Sequence, residues 1–114
     1  INMKNEQTPE QLIGSRIKSA REEKGLSQLD LAKALGFQTA TAISLIEAGE
    51  RGVPATILEK LGHVLERDVK YFLGKEDVVD IQVALRADKD LSKEDKEALS
   101  RFIELAKNRK KKNE

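Results

Sequence analysis

GLSQLDLAKALG (residues 25–36), followed four residues later by TAISLIE (residues 41–47), decides the fold. Ser27 is a helix-capping residue. Behind it Leu29, Leu31, Ala32 and Leu35 recur at helical spacing until Gly36, which can turn the chain without strain. Thr39 is the expected cap of a further helix carrying Ile43, Leu45 and Ile46 and ending near Ala48-Gly49. The stretch is therefore a pair of short helices joined by a glycine-bearing turn. Ala32 sits where they must cross closely, and Leu31, Leu35, Ile43 and Ile46 lock the crossing.

The same periodicity extends outward in both directions. Upstream, Thr8-Pro9-Glu10-Gln11 combines a cap, a proline at the first helical position and early acidic character. It opens a helix that carries Leu12, Ile13, Ile17 and Ala20 on one face and stops at Lys24-Gly25. Downstream, Glu50 to Val53 reads as a loop, and Pro54 starts a helix whose Ile57, Leu58, Leu61, Val64 and Leu65 share a face. Gly62 weakens it by about 1 kcal/mol relative to alanine. Asp68 caps a last short helix through Val69, Tyr71, Phe72 and Leu73, closed by Gly74. The fold class is all-α: five short helices over residues 8–74, followed by two C-terminal helices. The first of these runs from Glu76 to about Ala87, with Val78, Ile81 and Leu85 at helical spacing. Asp88 to Leu91 breaks the pattern, and Ser92 caps the second, with Asp95 at the capping-box position and Leu99, Phe102, Ile103 and Ala106 on one face. Their stripes must be buried on each other, on the bundle or on a second chain. Residues 75–106 thus form an extension for dimerisation or partner binding, and 107–114 a basic flexible tail.

Composition sets outer bounds. The 114 residues contain no cysteine and one histidine, which excludes disulfides, thiolate metal sites and a histidine cluster. Aromatic residues are 4% of the chain and tryptophan is absent, a poor basis for a base-stacking platform. No apolar run suits a membrane span and no signal-peptide pattern opens the chain, so a cytoplasmic protein is expected, with Met3 as its native start and Ile1-Asn2 extraneous. The net charge is +1, but residues 1–74 carry ten basic and ten acidic groups, and without 107–114 the chain would stand at 16 against 19. The total reflects Lys107, Arg109, Lys110, Lys111 and Lys112 more than the body.

A helix-turn-helix unit of this kind leaves the first turn of its second helix exposed and slim enough for a DNA major groove. RIKSAREEKGLSQLDLAKALG (residues 16–36), TAISLIEAGERG (41–52) and YFLG (71–74) resemble the Cro/C1-type (XRE) helix-turn-helix family of prokaryotic and phage regulators. The resemblance implies a lambda-repressor-like bundle and a transcriptional regulator, expected to be a repressor that binds a pseudo-palindromic operator in double-stranded DNA as a homodimer. It places base contacts on Gln38, Ala40, Thr41, Ser44 and Leu45, phosphate contacts on Ser27, Gln28, Thr39 and Arg51, and a structural ion pair on Arg21 and Glu47. One residue more than the commonest family pattern separates Gly36 from Ile43, which shifts the register at Gln38 and Thr39 by up to one position. The reading face lacks Arg, Lys and Asn, so the bidentate arginine–guanine contact is unavailable and specificity must lean on weaker contacts or DNA shape. Lys18, Lys33 and Arg51 are the cations that would have to face one side for a neutral domain to bind phosphate.

Other readings stand beside this one. VALRADKDLSKEDKEALSRFIELAK (residues 83–107) is weakly similar to a segment that joins some family members to a zinc metallopeptidase, but a His-Glu-x-x-His signature is absent and an ordinary amphipathic helix pair is the preferred reading. The chain could be the antitoxin of a toxin pair, or a protein-interaction module whose C-terminal helices bind a partner. Glu22-Glu23 and Asp77/Asp80 lack a nucleophile, phosphate loop or metal spacing, and His63 reads as a surface histidine. No enzyme activity, cofactor or metal is expected.

Overall fold

The computed structural model describes residues 7–74, 78–85 and 92–112, and all regular structure among them is helical. Helix α1 spans Pro9–Glu23, α2 Gln28–Ala34, α3 Thr41–Ala48, α4 Ala55–Leu65, α5 Val69–Leu73, α6 Val78–Leu85 and α7 Lys93–Lys112. Capping residues fix most of the starts. Thr8 and Gln11 form a capping box at α1, Ser27 and Asp30 form one at α2, and the Asp68 carboxylate accepts from the Lys70 N–H at α5. Glycines in the left-handed region end the elements: Gly25 follows α1, Gly36 follows α2 and Gly49 closes α3 at φ 77°.

Three local expectations change. Helix α3 begins one residue later than expected, with Ala40 at its cap, and Thr39 Oγ1 accepts instead from the Thr41 N–H at 3.4 Å. The long α2–α3 turn absorbs the shift. Gly62 is more than a weak helix residue: a Cβ there would lie 3.0 Å from the Arg67 carbonyl oxygen, because the chain folds back over α4 through Glu66 in the left-handed conformation. Helix α7 continues past Lys107 to Lys112. The expected native start at Met3, Glu76, Asp77 and the break at Asp88–Leu91 lie outside the described residues.

Helices α1 and α3 cross closely at Gly14. A Cβ on Gly14 would stand 2.2 Å from the Ile46 carbonyl oxygen and 2.8 Å from that of Glu47. In an open helix, Gly14→Ala would stabilise by about 1 kcal/mol. Here the obstruction is backbone and cannot rotate away, so Gly14→Ala is expected to destabilise by about 1–3 kcal/mol in a urea titration. A stabilised variant would mean the two helices are farther apart than described.

One core joins all seven helices. Ile13 and Ile17 of α1, Leu31 of α2, Ile43 of α3, Leu58 and Leu61 of α4 and Phe72 of α5 are each no more than 1% exposed. Ile81 and Leu85 of α6 and Phe102 of α7 belong to the same cluster. From the two C-terminal stripes, Ile81, Leu85, Phe102 and Ala106 are buried within the chain, while Leu99 and Ile103 are half-buried: α6 packs on α1 and on α7, and α7 packs along α4. Polar ties accompany this. Arg101 makes a bidentate pair with Glu59 of α4 (2.7 and 2.9 Å), and the Thr56 hydroxyl donates to Asp95 Oδ1 at 2.8 Å.

Candidate nucleic-acid interface

Helix α3 is short and its two faces are chemically distinct. Ile43, Ile46 and Glu47 are buried, while Thr41, Ser44 and Ala48 are exposed and Leu45 half-buried. Positions 41, 44, 45 and 48 fall on one helical face. That face carries only small or short side chains at its exposed positions, so its backbone can approach a flat surface closely. Gln38 and Thr39 stand exposed in the turn before it, and Ala40 is half-buried at the cap. Ala48 belongs to this face and escaped the sequence reading, which stopped at Leu45; the i, i+3, i+7 spacing from Thr41 was the available signal.

What holds α3 in place is a buried charge network. Arg21 Nε donates to Glu47 Oε2 at 2.7 Å and Nη2 donates to Oε1 at 3.1 Å, with both residues 8% exposed. The third arm of the guanidinium donates to the Leu26 carbonyl oxygen at 2.8 Å. Arginine suits the position because its planar fork serves the carboxylate and the turn at once. The hydrogen bonds to the Glu47 carboxylate push the Arg21 pKa above its already high ordinary value, so the guanidinium keeps its charge. One network therefore joins α1, the α1–α2 turn and α3.

Gln28 joins the same network: its Nε2 donates to Glu47 Oε1 at 3.0 Å. The side chain is half-buried, which leaves one amide N–H and the amide oxygen for another partner. Ser27 is occupied differently, its hydroxyl accepting from the Asp30 N–H at 2.9 Å and its own N–H donating to the Asp30 carboxylate. These hydrogen bonds hold the Asp30 carboxyl below its usual pKa, placing a fixed negative charge at the start of α2. Arg51 is exposed in the α3–α4 loop between Gly49 and Val53, and Lys18 and Lys33 are also exposed.

No group of His, Cys, Asp or Glu among the described residues is arranged to hold a metal ion, and no helix among them is long and apolar enough to cross a membrane.

Comparison with known proteins places these features. The family model described as helix-turn-helix matches residues 17–72, from within α1 to within α5. A solved structure of the clp gene regulator ClgR from C. glutamicum is similar over 60% of this chain and 87% of its own, with 26% identity and a TM-score of 0.56. A solved SinR protein/SinI protein complex contains a chain that is 30% identical, covering 87% of this chain and 98% of its own, with a TM-score of 0.50. No curated protein matches the chain by sequence.

Proposed function

Because the chain belongs to the Cro/C1-type helix-turn-helix family of DNA-binding transcription regulators, we propose that it is a sequence-specific repressor, without catalytic activity, acting in the cytoplasm as a homodimer on a pseudo-palindromic operator. The observation that carries this reading is the exposed, slim face of α3, fastened from behind by Arg21 and Glu47. Such a face enters a major groove, where Thr41 and Ala40 meet thymine methyls and Gln38 reads an adenine edge; Ser44 and Leu45 continue the contact surface. Gln28, with its amide steered by Glu47, and Arg51 on its loop supply phosphate contacts, joined by Ser27 at the cap of α2 and Thr39 in the turn before α3. Two copies would place their α3 helices about 34 Å apart, one helical turn of DNA.

Ile81, Leu85, Phe102 and Ala106 of the C-terminal helices are buried inside the chain, which leaves the charged outer face of α7, with the half-buried Ile103, for a second copy. The SinR structure is of a complex with another protein, and this supports a second reading in which the C-terminal helices bind a partner, such as the toxin of an antitoxin pair or a metallopeptidase.

Mutations separate positioning from reading. Arg51→Ala is expected to weaken binding by a similar factor on every duplex and to lower the slope of log affinity against log salt by about one. Thr41→Ala should instead change which base is preferred at one operator position, measured by competition among single-base variants. The reverse pattern would contradict the assignment of roles.

A further inference from the structure

The loop that carries Arg51 is fixed at both ends. At its start, Gly49 lies against Gln11 of α1 so closely that a Cβ would meet Gln11 Cγ at 2.3 Å. At its end, Val53 is 2% exposed and its N–H donates to the Ala84 carbonyl oxygen of α6 at 3.2 Å. Only Glu50, Arg51 and Gly52 stand between these anchors. The helix that leaves the loop is held in turn by α7, through the Thr56–Asp95 hydrogen bond in the first turn of α4 and the Arg101–Glu59 pair one turn later. Asp95 also accepts from the Ser92 hydroxyl at 3.0 Å, so its carboxylate ties the start of α7 to the start of α4.

We infer that Asp95 is a positioning residue for DNA binding: with α6 and α7 it clamps Val53 and Thr56, and thereby sets where Arg51 meets a phosphate. The inference rests on the DNA-binding reading of Arg51. It gives the C-terminal helices a direct part in the affinity of the N-terminal bundle, since any partner that draws α7 away from α4 loosens the loop.

The sign of the effect makes the test sharp. Removing a carboxylate from a DNA-binding protein ordinarily strengthens binding, because it relieves repulsion from phosphate. If Asp95 positions Arg51, Asp95→Ala in the full chain should do the opposite and weaken binding to a mixed-sequence duplex about fivefold, the equivalent of one hydrogen bond. Asp95→Asn loses the same charge but keeps an acceptor for the Thr56 hydroxyl, so it should bind at least as tightly as the unaltered chain. In the Arg51→Ala background, Asp95→Ala should cost nothing further. Binding by Asp95→Ala as tight as that of Asp95→Asn, or losses that simply multiply with Arg51→Ala, would overturn the inference. Amide hydrogen exchange gives a readout that needs no DNA. Exchange at Val53 should rise in Asp95→Ala while that of Ile43 in α3 stays unchanged, whereas an equal rise at both or none at Val53 would overturn the clamp. Should the unaltered chain bind no DNA, the functional reading fails, and exchange at Val53 still decides whether the clamp exists.

Discussion

Replacing Glu47 by alanine is expected to destabilise the protein by about 3–5 kcal/mol, a large part of the roughly 5–15 kcal/mol typical of a whole domain. The loss is large because of what stays behind. Arg21 would keep its charge in a site that is 8% exposed, with the Leu26 carbonyl as its main acceptor and Glu22 no nearer than 3.9 Å. Gln28 would lose its acceptor too. The matching control is the double variant Arg21→Met, Glu47→Leu, which removes both charges and fills the space with apolar groups; it should be closer in stability to the unaltered protein than Glu47→Ala is. Urea unfolding of the two variants and the unaltered protein measures this. A Glu47→Ala cost under about 1 kcal/mol, the range of exposed pairs, would mean that the network does not clamp α3.

Phe102→Ala is expected to cost about 3–5 kcal/mol, and to shift the unfolding transition of the whole chain. Phe102 is 1% exposed on α7, within the cluster that contains Leu58, Leu61 and Ile17. If the C-terminal helices were a loosely attached appendage, truncating this ring would melt α7 and leave the N-terminal bundle untouched. A single shared core predicts that probes in α3 and α7 unfold together and earlier. Two separate transitions, with only the C-terminal one moved, would refute the shared core.

Much of the bundle was legible because its signals are local. Thr8, Ser27 and Asp68 cap the helices they precede, and Gly25, Gly36, Gly49 and Gly74 stand at positive φ where the pattern stops. The pairing of Arg21 with Glu47, 26 residues apart, came from resemblance; nothing in local spacing brings the two together. Gly14 and Gly62 were illegible for a related reason, since each is required by the backbone of a distant or returning segment and such crowding leaves no periodic trace. The destination of the α6 and α7 stripes was open among three surfaces, because amphipathicity says that a face is buried and not what buries it. Asp95 shows the limit most clearly. Its capping-box position was readable, yet its carboxylate also accepts from Thr56, a partner 39 residues away. That contact, with the one at Ser92, holds its pKa below the usual carboxylate range.

On the face of α3 proposed to read DNA, the exposed side chains are small and uncharged. Affinity must then come chiefly from phosphate contacts and specificity from close approach and DNA shape, which makes salt dependence the informative variable. The most direct measurement is a fluorescence titration of a labelled duplex from the region upstream of the protein's own coding sequence, at two salt concentrations. Saturable binding that weakens steeply as salt rises is the predicted result; binding that is undetectable, or insensitive to salt, would contradict the account.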